Sequence, residues 1–563
     1  MPKRRRTLDL DSEGDGSDFE ESKGSGEDSD FQDASFSKKT KKRVKKQHVK
    51  RKGAVRPRSV DVDKVDTDTQ IHVSAHSKSI HIISSPGPMR VALLRWYRTV
   101  HDTRRMPWRK PYNPSCGAEE RAQRAYEVWV SEIMLQQTQV ATVIPYYTRW
   151  MEKYPTICHL ASANVDQVNA LWKGLGYYSR ASRLLAGAQK AVQKYGGRLP
   201  DNAKEMEANI PGIGRYSAGA ICSIAYGEKA PVLDGNVHRL LSRVLALHAP
   251  PKVKSTLDIL WGAATAMVQI EEAGITSPPQ YAGDVNQALI ELGSTVCKVH
   301  DPKCGTCPIQ NWCSAYQNSE SKESAKEDNT HMVDIEDICG LCEPLTGAGV
   351  MSYPMKVERK KVREELDIVN VVEWRPIQNP DERWFLLMRR PSIGLLAGLY
   401  EFPTSPAVSK TISHDALKHI PYNLISQVVQ HARVFPLSTD AQKDREDLED
   451  DCEDIHVRIS KIKVAGDVVH LFSHVKKTYR AQWVLLEGGS TPPTLKFNSE
   501  VEIPIKRSGK RKTLPATGGP DTESPAHAMW VLLDDVADVN MGTGVAKVWN
   551  LTQALWEKNI DGD

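Results

Sequence analysis

Four cysteines, a glycine hairpin and a lone carboxylate are the parts of this chain whose types and spacing suit chemistry. Cys297, Cys304, Cys307 and Cys313 follow the spacing C-x6-C-x2-C-x5-C. Four thiolates so close together can hold a tetrahedral zinc ion or an iron–sulfur cube. The intervening Lys298, His300, Asp301 and Lys303 make the loop too polar for free core cysteines. Metal is therefore expected, with zinc and iron both open on spacing alone. Upstream, Ile210–Arg239 reads IPGIGRYSAGAICSIAYGEKAPVLDGNVHR. Gly212 and Gly214 are expected to take left-handed dihedrals and expose N–H groups that suit a DNA phosphate. Asp234 then stands close to an anionic backbone, a poor place for a carboxylate unless it stabilises a positive charge. Capping the next helix is its simpler role, and one residue can do both.

The elements that must position these groups follow from the pattern of the chain. With 563 residues and 40% hydrophobic content, two or three domains with real cores are expected. No apolar run reaches membrane-span length, and no secretory signal precedes the basic start. The net charge of +4 hides segregation. Residues 1–88 read as a disordered tail, with a basic tetrad at Lys3–Arg6, an acidic block over 9–33 and a basic block from Lys38 to Arg58. Nuclear targeting is expected, and a mitochondrial pool is compatible with it. Order is expected near Met89. Helical periodicity then runs over Tyr126–Arg149, Val165–Trp172, Arg180–Lys194, Glu205–Asn209, Tyr216–Tyr226, Val237–Ala246, Thr256–Val268 and Asn286–Leu292. Residues 113–121 read as a loop insertion, and no strand is expected over 89–318. From about 365 the pattern turns to period two. Asp367–Trp374, Trp384–Arg389, Val428–Val434, Gln482–Glu487 and Met529–Leu533 read as strands, with a closing helix near Trp549. Insertions over 437–457 and 498–525 are charged or Pro/Gly-rich.

Taken in order, Val130–Val140 (VSEIMLQQTQV), Gly174–Arg180 (GLGYYSR), the hairpin with Leu233–Val237 (LDGNV), the four-cysteine loop and Phe472-Ser473-His474 resemble the MutY family. That family lies within the helix-hairpin-helix DNA glycosylases. The resemblance implies an all-α glycosylase domain over 89–318, a connector over 319–364 and an α+β Nudix-like domain over 365–556. It also selects a [4Fe–4S] cluster at Cys297, Cys304, Cys307 and Cys313. Its activity is hydrolysis of adenine opposite 8-oxoguanine or guanine, which starts base excision repair by a monomer on double-stranded DNA.

Breaking an N-glycosidic bond needs an acid for the leaving base and a charge partner for the oxocarbenium sugar. Glu132 sits beside Ile133, Met134 and Leu135, surroundings that keep a carboxyl protonated. The resemblance implies that Glu132 protonates adenine and that Asp234 stabilises the cation, with Asn236 holding Asp234. It places Tyr216 where glycosylase/lyases carry a nucleophilic lysine, so a monofunctional enzyme is expected. Gln137, Leu175, Gly176 and Tyr177 match the wedge beside the orphaned base. Arg104, Trp108, Arg109 and Gln287 match the adenine pocket. Phe472, Ser473 and His474 match the 8-oxoguanine reader. The sequence after Gly394–Pro403 lacks the glutamate-rich run of Nudix hydrolases, so this domain is expected to read rather than hydrolyse.

In the connector the resemblance implies docking of the 9-1-1 checkpoint clamp at Ile335 and Glu336. A zinc site at Cys339 and Cys342 is also implied, but the cysteine that relatives supply from the catalytic domain is here Ser242. No Q-x-x-L-x-x-F-F box for the replication clamp is present. Two other readings stand beside the first: an endonuclease III-like glycosylase/lyase for oxidised pyrimidines, and a catalytically silent lesion binder. Base release from defined duplexes, scored before and after alkali, separates the three.

Overall fold

A computed structural model describes residues 76–270, 279–320, 337–345, 349–357, 361–376, 378–379, 381–391, 394–430, 457–472, 475–496 and 528–560. The charged tail, Ile335, Glu336, Ser473, His474 and the 498–525 insertion lie outside the described residues, as does 437–457 except Val457. Described structure begins at His76 rather than Met89. Ser77 caps a 3-10 turn at Lys78–His81 and bridges to Ile338, so the connector holds this segment in place.

The first domain is helical: α1 (Pro86–Val100), α2 (Ala118–Leu135), α3 (Val140–Lys153), α4 (Ile157–Ala161), α5 (Val165–Trp172), α6 (Ser179–Tyr195), α7 (Ala203–Asn209), α8 (Arg215–Ile221), α9 (Gly235–Val244), α10 (Lys254–Val268), α11 (Ala282–Thr295) and α12 (Ser314–Glu320). The helix expected over Tyr126–Arg149 is two, broken at Gln136–Gln139, where Gln137 takes φ 54°. The insertion loop is shorter than expected, since α2 already starts at Ala118. Trp129, Trp150 and Trp172 are fully buried in one continuous core. Truncating such a tryptophan to alanine costs about 3–5 kcal/mol. Two glycines let backbones meet around Asp234. A Cβ on Gly219 of α8 would stand 2.4 Å from the Pro231 carbonyl oxygen, and one on Gly293 of α11 would stand 2.8 Å from that of Asn236. Small residues thus set α8 and α11 flush against the segment that bears the lone carboxylate.

The second domain is one mixed sheet: β1 (Arg363–Arg375), β2 (Trp384–Arg389), β3 (Tyr400–Glu401), β4 (Thr404–Val408), β5 (Arg458–Leu471), β6 (Val475–Glu487) and β7 (Ala528–Leu532). Its order is β3-β2-β1-β6-β5, with β4 on β1 and β7 on β2. β1 and β6 run parallel at the centre, and β1 is buried from Leu366 through Trp374 as central strands are. Helices α13 (His414–Val428) and α14 (Thr543–Ile560) complete the domain. The strand expected over Val428–Val434 is in fact the end of α13, and residues beyond Gln430 are outside the description. The sequence after Pro403 forms β4 and then α13, whose single acid is Asp415.

Candidate active site and metal centres

Glu132 projects from the last turn of α2, Tyr216 from the first turn of α8, and Asp234 stands at the start of α9. The Tyr216 hydroxyl donates to Glu132 Oε2 at 2.6 Å. Asp234 caps α9, accepting from the Val237 N–H at 2.7 Å, and its other oxygen accepts from Asn236 Nδ2 at 2.9 Å. Asn236 is fixed in turn by Arg239, whose guanidinium also donates to the Gly293 and Cys297 carbonyls. A continuous set of hydrogen bonds therefore links the lone carboxylate to the cysteine loop. Of the two glycines expected to be left-handed, only Gly212 is, at φ 82°. Gly214 is extended, because it precedes α8 as its cap.

The two carboxyls are unlike. Desolvation pushes Glu132 up to about 7; the Tyr216 hydrogen bond pulls it down, the charge of Asp234 raises it and Arg109 lowers it. Burial also raises Asp234, but the Val237 N–H, Asn236 and Arg239 pull it back. Asp234 accepts more hydrogen bonds to its charged form than Glu132 does, a contrast that suits an acid beside a charge stabiliser. Tyr216→Phe removes the hydroxyl that holds Glu132 down. The alkaline limb of its pH–rate profile is therefore expected to move to higher pH, read from single-turnover base release. A limb that stays in place would dissociate the tyrosine from the acid.

Arg104 and Arg109 converge on one buried carboxylate, Glu291 of α11, with Arg109 Nη2 at 2.8 Å and Arg104 closely paired. Trp108 is buried edge-on to Tyr147. Gln287 lies one turn before Glu291 and is buried with it. Glu291 is absent from the sequence expectations. Its one signal is a carboxylate between Leu289 and Leu292 on an apolar helix.

The wedge residues sit on two adjacent tips. Gln137 and Tyr177 both have positive φ, and Tyr177 is 47% exposed. Leu175 departs from expectation: it is 6% exposed, turned into the core, and leaves Gly176 and Tyr177 to face outward. Arg180 staples the tips together. Its buried guanidinium donates to the carbonyls of Ile133, Met134 and Gln136 at the end of α2, and to those of Leu175 and Gly176.

A family model for the "HhH-GPD superfamily base excision DNA repair protein" matches residues 130–264, which hold Glu132, Tyr216 and Asp234. The chain is 40% identical over 424 residues to the adenine DNA glycosylase of Rattus norvegicus, covering 73% of each. The chain belongs to the adenine DNA glycosylase family. The human adenine DNA glycosylase is 38% identical over 76% of this chain and 72% of its own length, and that of Schizosaccharomyces pombe 35% over 72% and 84%. Membership makes the protein a DNA N-glycosylase of base excision repair, in keeping with the acid and carboxylate pair.

The glycosylase domain closes with the four cysteines around one cavity, lined also by Leu240, Val244 and Ile309. The cysteines surround a space, as a cube requires. Burial pushes Cys307 up to about 12 and Cys313 up to about 11. Thiolates here need a positive centre, and Arg243 adds charge by donating to Cys297 Sγ at 3.2 Å. The donor set fits an iron–sulfur cluster.

A second group lies where the connector meets the start of the described chain. His76, His81, Cys339 and Cys342 each offer a ligand atom, all within 4.8 Å of one another. His81 Nδ1 is paired with the Leu245 carbonyl at 2.8 Å, which leaves Nε2 facing both sulfurs at 3.4 Å. A backbone partner on the far nitrogen is how metal-binding imidazoles are oriented. Ser242 takes no part, since its hydroxyl donates to His238 O. The histidines went unseen in the sequence because they lie in a stretch read as tail; the H-x4-H spacing was the available signal. In the second domain, Phe472 closes the β5–β6 turn with its N–H on Val475 O and packs partly into the core. Its companions Ser473 and His474 lie outside the described residues.

Proposed function

We propose that the protein hydrolyses adenine from pairs with 8-oxoguanine by a monofunctional acid-and-carboxylate mechanism. The single observation that carries it is the Glu132–Tyr216 contact beside Asp234. Protonated Glu132 gives its proton to N7 of the flipped adenine. The C1′–N9 bond breaks, its electrons leave with the base, and the sugar becomes an oxocarbenium ion. Asp234 balances that charge. Water, deprotonated by the Glu132 carboxylate, adds to C1′ and restores the acid. No lysine occupies position 216, so the strand stays intact. Incubation with an 8-oxoguanine:adenine duplex is expected to free adenine and to cut the strand only after alkali. Cutting without alkali, or preferential release of thymine glycol, would overturn the reading.

Cys297, Cys304, Cys307 and Cys313 would hold a [4Fe–4S] cluster, which supplies a rigid charged loop rather than a reacting group. His76, His81, Cys339 and Cys342 would hold zinc, tying the connector to the first described segment. Metal analysis is expected to return about four irons and one zinc per chain. His81→Ala should abolish the zinc and leave iron unchanged; iron lost together with zinc, or zinc retained, would refute this assignment. Nuclear targeting by the basic runs and 9-1-1 clamp docking at Ile335 and Glu336 complete the proposal. Reporter fusion and clamp pull-down test them.

A further inference from the structure

The reader domain is tied to the glycosylase domain by hydrogen bonds that converge on α5. Arg389 Nη2 donates to Asp166 Oδ1 at 2.9 Å, and Asn540 Nδ2 donates to the Asp166 carbonyl at 3.0 Å. At the other end of the helix, Lys173 Nζ donates to the Ala537 carbonyl at 2.7 Å. Beside these bonds, Leu399 of the reader is fully buried in the glycosylase core and Leu396 packs against it. Asp166 stands in the first turn of α5, within the Asn164–Gln167 capping box that fixes this end of the helix.

Both ends of this contact lead to the damaged pair. On the reader side, Arg389 donates to Gly398 O and lies over Tyr400, whose N–H donates to Asn540 O. Tyr400, Met541 and Phe472 pack in one core, so the corner that grips Asp166 is continuous with the turn that bears the reader motif. On the glycosylase side, α5 ends at Trp172, whose indole N–H donates to Gly176 O and which lies under the Arg180 guanidinium. The outward-facing wedge residues Gly176 and Tyr177 follow a few positions later. Rigid elements joined at both ends carry a displacement without a relay of chemistry.

We infer that Asp166 is a positioning residue that couples the reader domain to the wedge, setting Gly176 and Tyr177 against the opposite base only when the reader is seated. The inference rests on the proposal that the second domain recognises 8-oxoguanine. Asp166 bonds Arg389 and Asn540 rather than Glu132, Tyr216 or Asp234, so its loss should spare the chemical step and cost discrimination.

The test compares full-length Asp166→Arg, Arg389→Asp and the double charge swap on 8-oxoguanine:adenine and guanine:adenine duplexes. Each single variant is expected to lower the 8-oxoguanine preference in kcat/KM by about fivefold or more, a coupling of ordinary size. Single-turnover release from guanine:adenine should be unchanged, and the swap should restore the preference. Asp166→Asn, which keeps the shape, should lose part of it. Preference retained in the single variants, or not restored by the swap, overturns the coupling alone. A parent enzyme with no preference overturns the reader assignment and the coupling with it.

Discussion

Glu132→Gln is expected to reduce single-turnover adenine release by about 10²–10⁴-fold, the span of a lost general acid, with duplex affinity preserved. Glutamine keeps the shape of the side chain and an oxygen for the Tyr216 hydroxyl, now 2.6 Å from Glu132 Oε2. It cannot deliver a proton to the leaving base. The parent should show a rate that falls as pH rises through about 7, because only the protonated carboxyl is active and burial holds it there. The variant should lack that limb. Stability should move the other way. A carboxyl raised above its ordinary value costs the folded state stability once pH passes that ordinary value, and the cost grows until the pH exceeds about 7. Glutamine carries no such cost, so the variant should melt higher than the parent above pH 7 and alike in acid. Turnover within tenfold of the parent, or an unchanged alkaline limb, would remove Glu132 as the acid.

Much of this site is legible in the sequence, for a physical reason. Glu132, Tyr216, Asp234 and the four cysteines stand in short local motifs, where the backbone requirement and the chemistry fall within a few residues. The hairpin glycine, the small-residue face of α8 and the N-cap carboxylate are all local facts. What escaped is what arises between segments. Glu291 gains its role only when two arginines from the loop after α1 arrive at its oxygens. His76 and His81 join a donor group only because the connector brings Cys339 and Cys342 back to them. Leu175 looks exposed beside its glycines, yet the wedge turn rotates it inward.

The second domain was harder to read. β5 alternates half-exposed residues at a sheet edge, with a register shift before Gly466, so its period-two signal is weak. The apolar run after Leu424 fits a buried strand as well as a helix end, an ambiguity that short runs carry. Central β1 and β6 are long and buried over Leu366–Trp374 and Ala481–Leu486, and there the expectation and the fold agree in kind.

Asp234→Asn is the second large effect: adenine release should fall by about 10²–10³-fold, as when a preorganised electrostatic group is lost. In the proposed mechanism the carboxylate faces the developing positive charge, and its hydrogen-bond donors oppose the burial that raises it. The Val237 N–H and Asn236 Nδ2 both donate to it, and Arg239 holds Asn236 in that orientation through its carbonyl oxygen. An asparagine would turn a donor toward Asn236 Nδ2, and Asn236 cannot flip without giving up Arg239. The cap on α9 therefore weakens as well, and a modest loss of melting temperature should accompany the loss of rate. Binding separates the electrostatic role from that structural one. A duplex carrying a cationic pyrrolidine in place of the deoxyribose mimics the oxocarbenium ion, and complementarity to that ion is what the enzyme must supply. Asp234→Asn should lose affinity for this duplex by about the same factor as its rate, while keeping affinity for a neutral abasic analogue. Glu132→Gln, which retains Asp234, should keep both. Equal binding of the charged and neutral analogues by the parent would show that the charge of Asp234 is not directed at the sugar, and would leave it only the cap of α9.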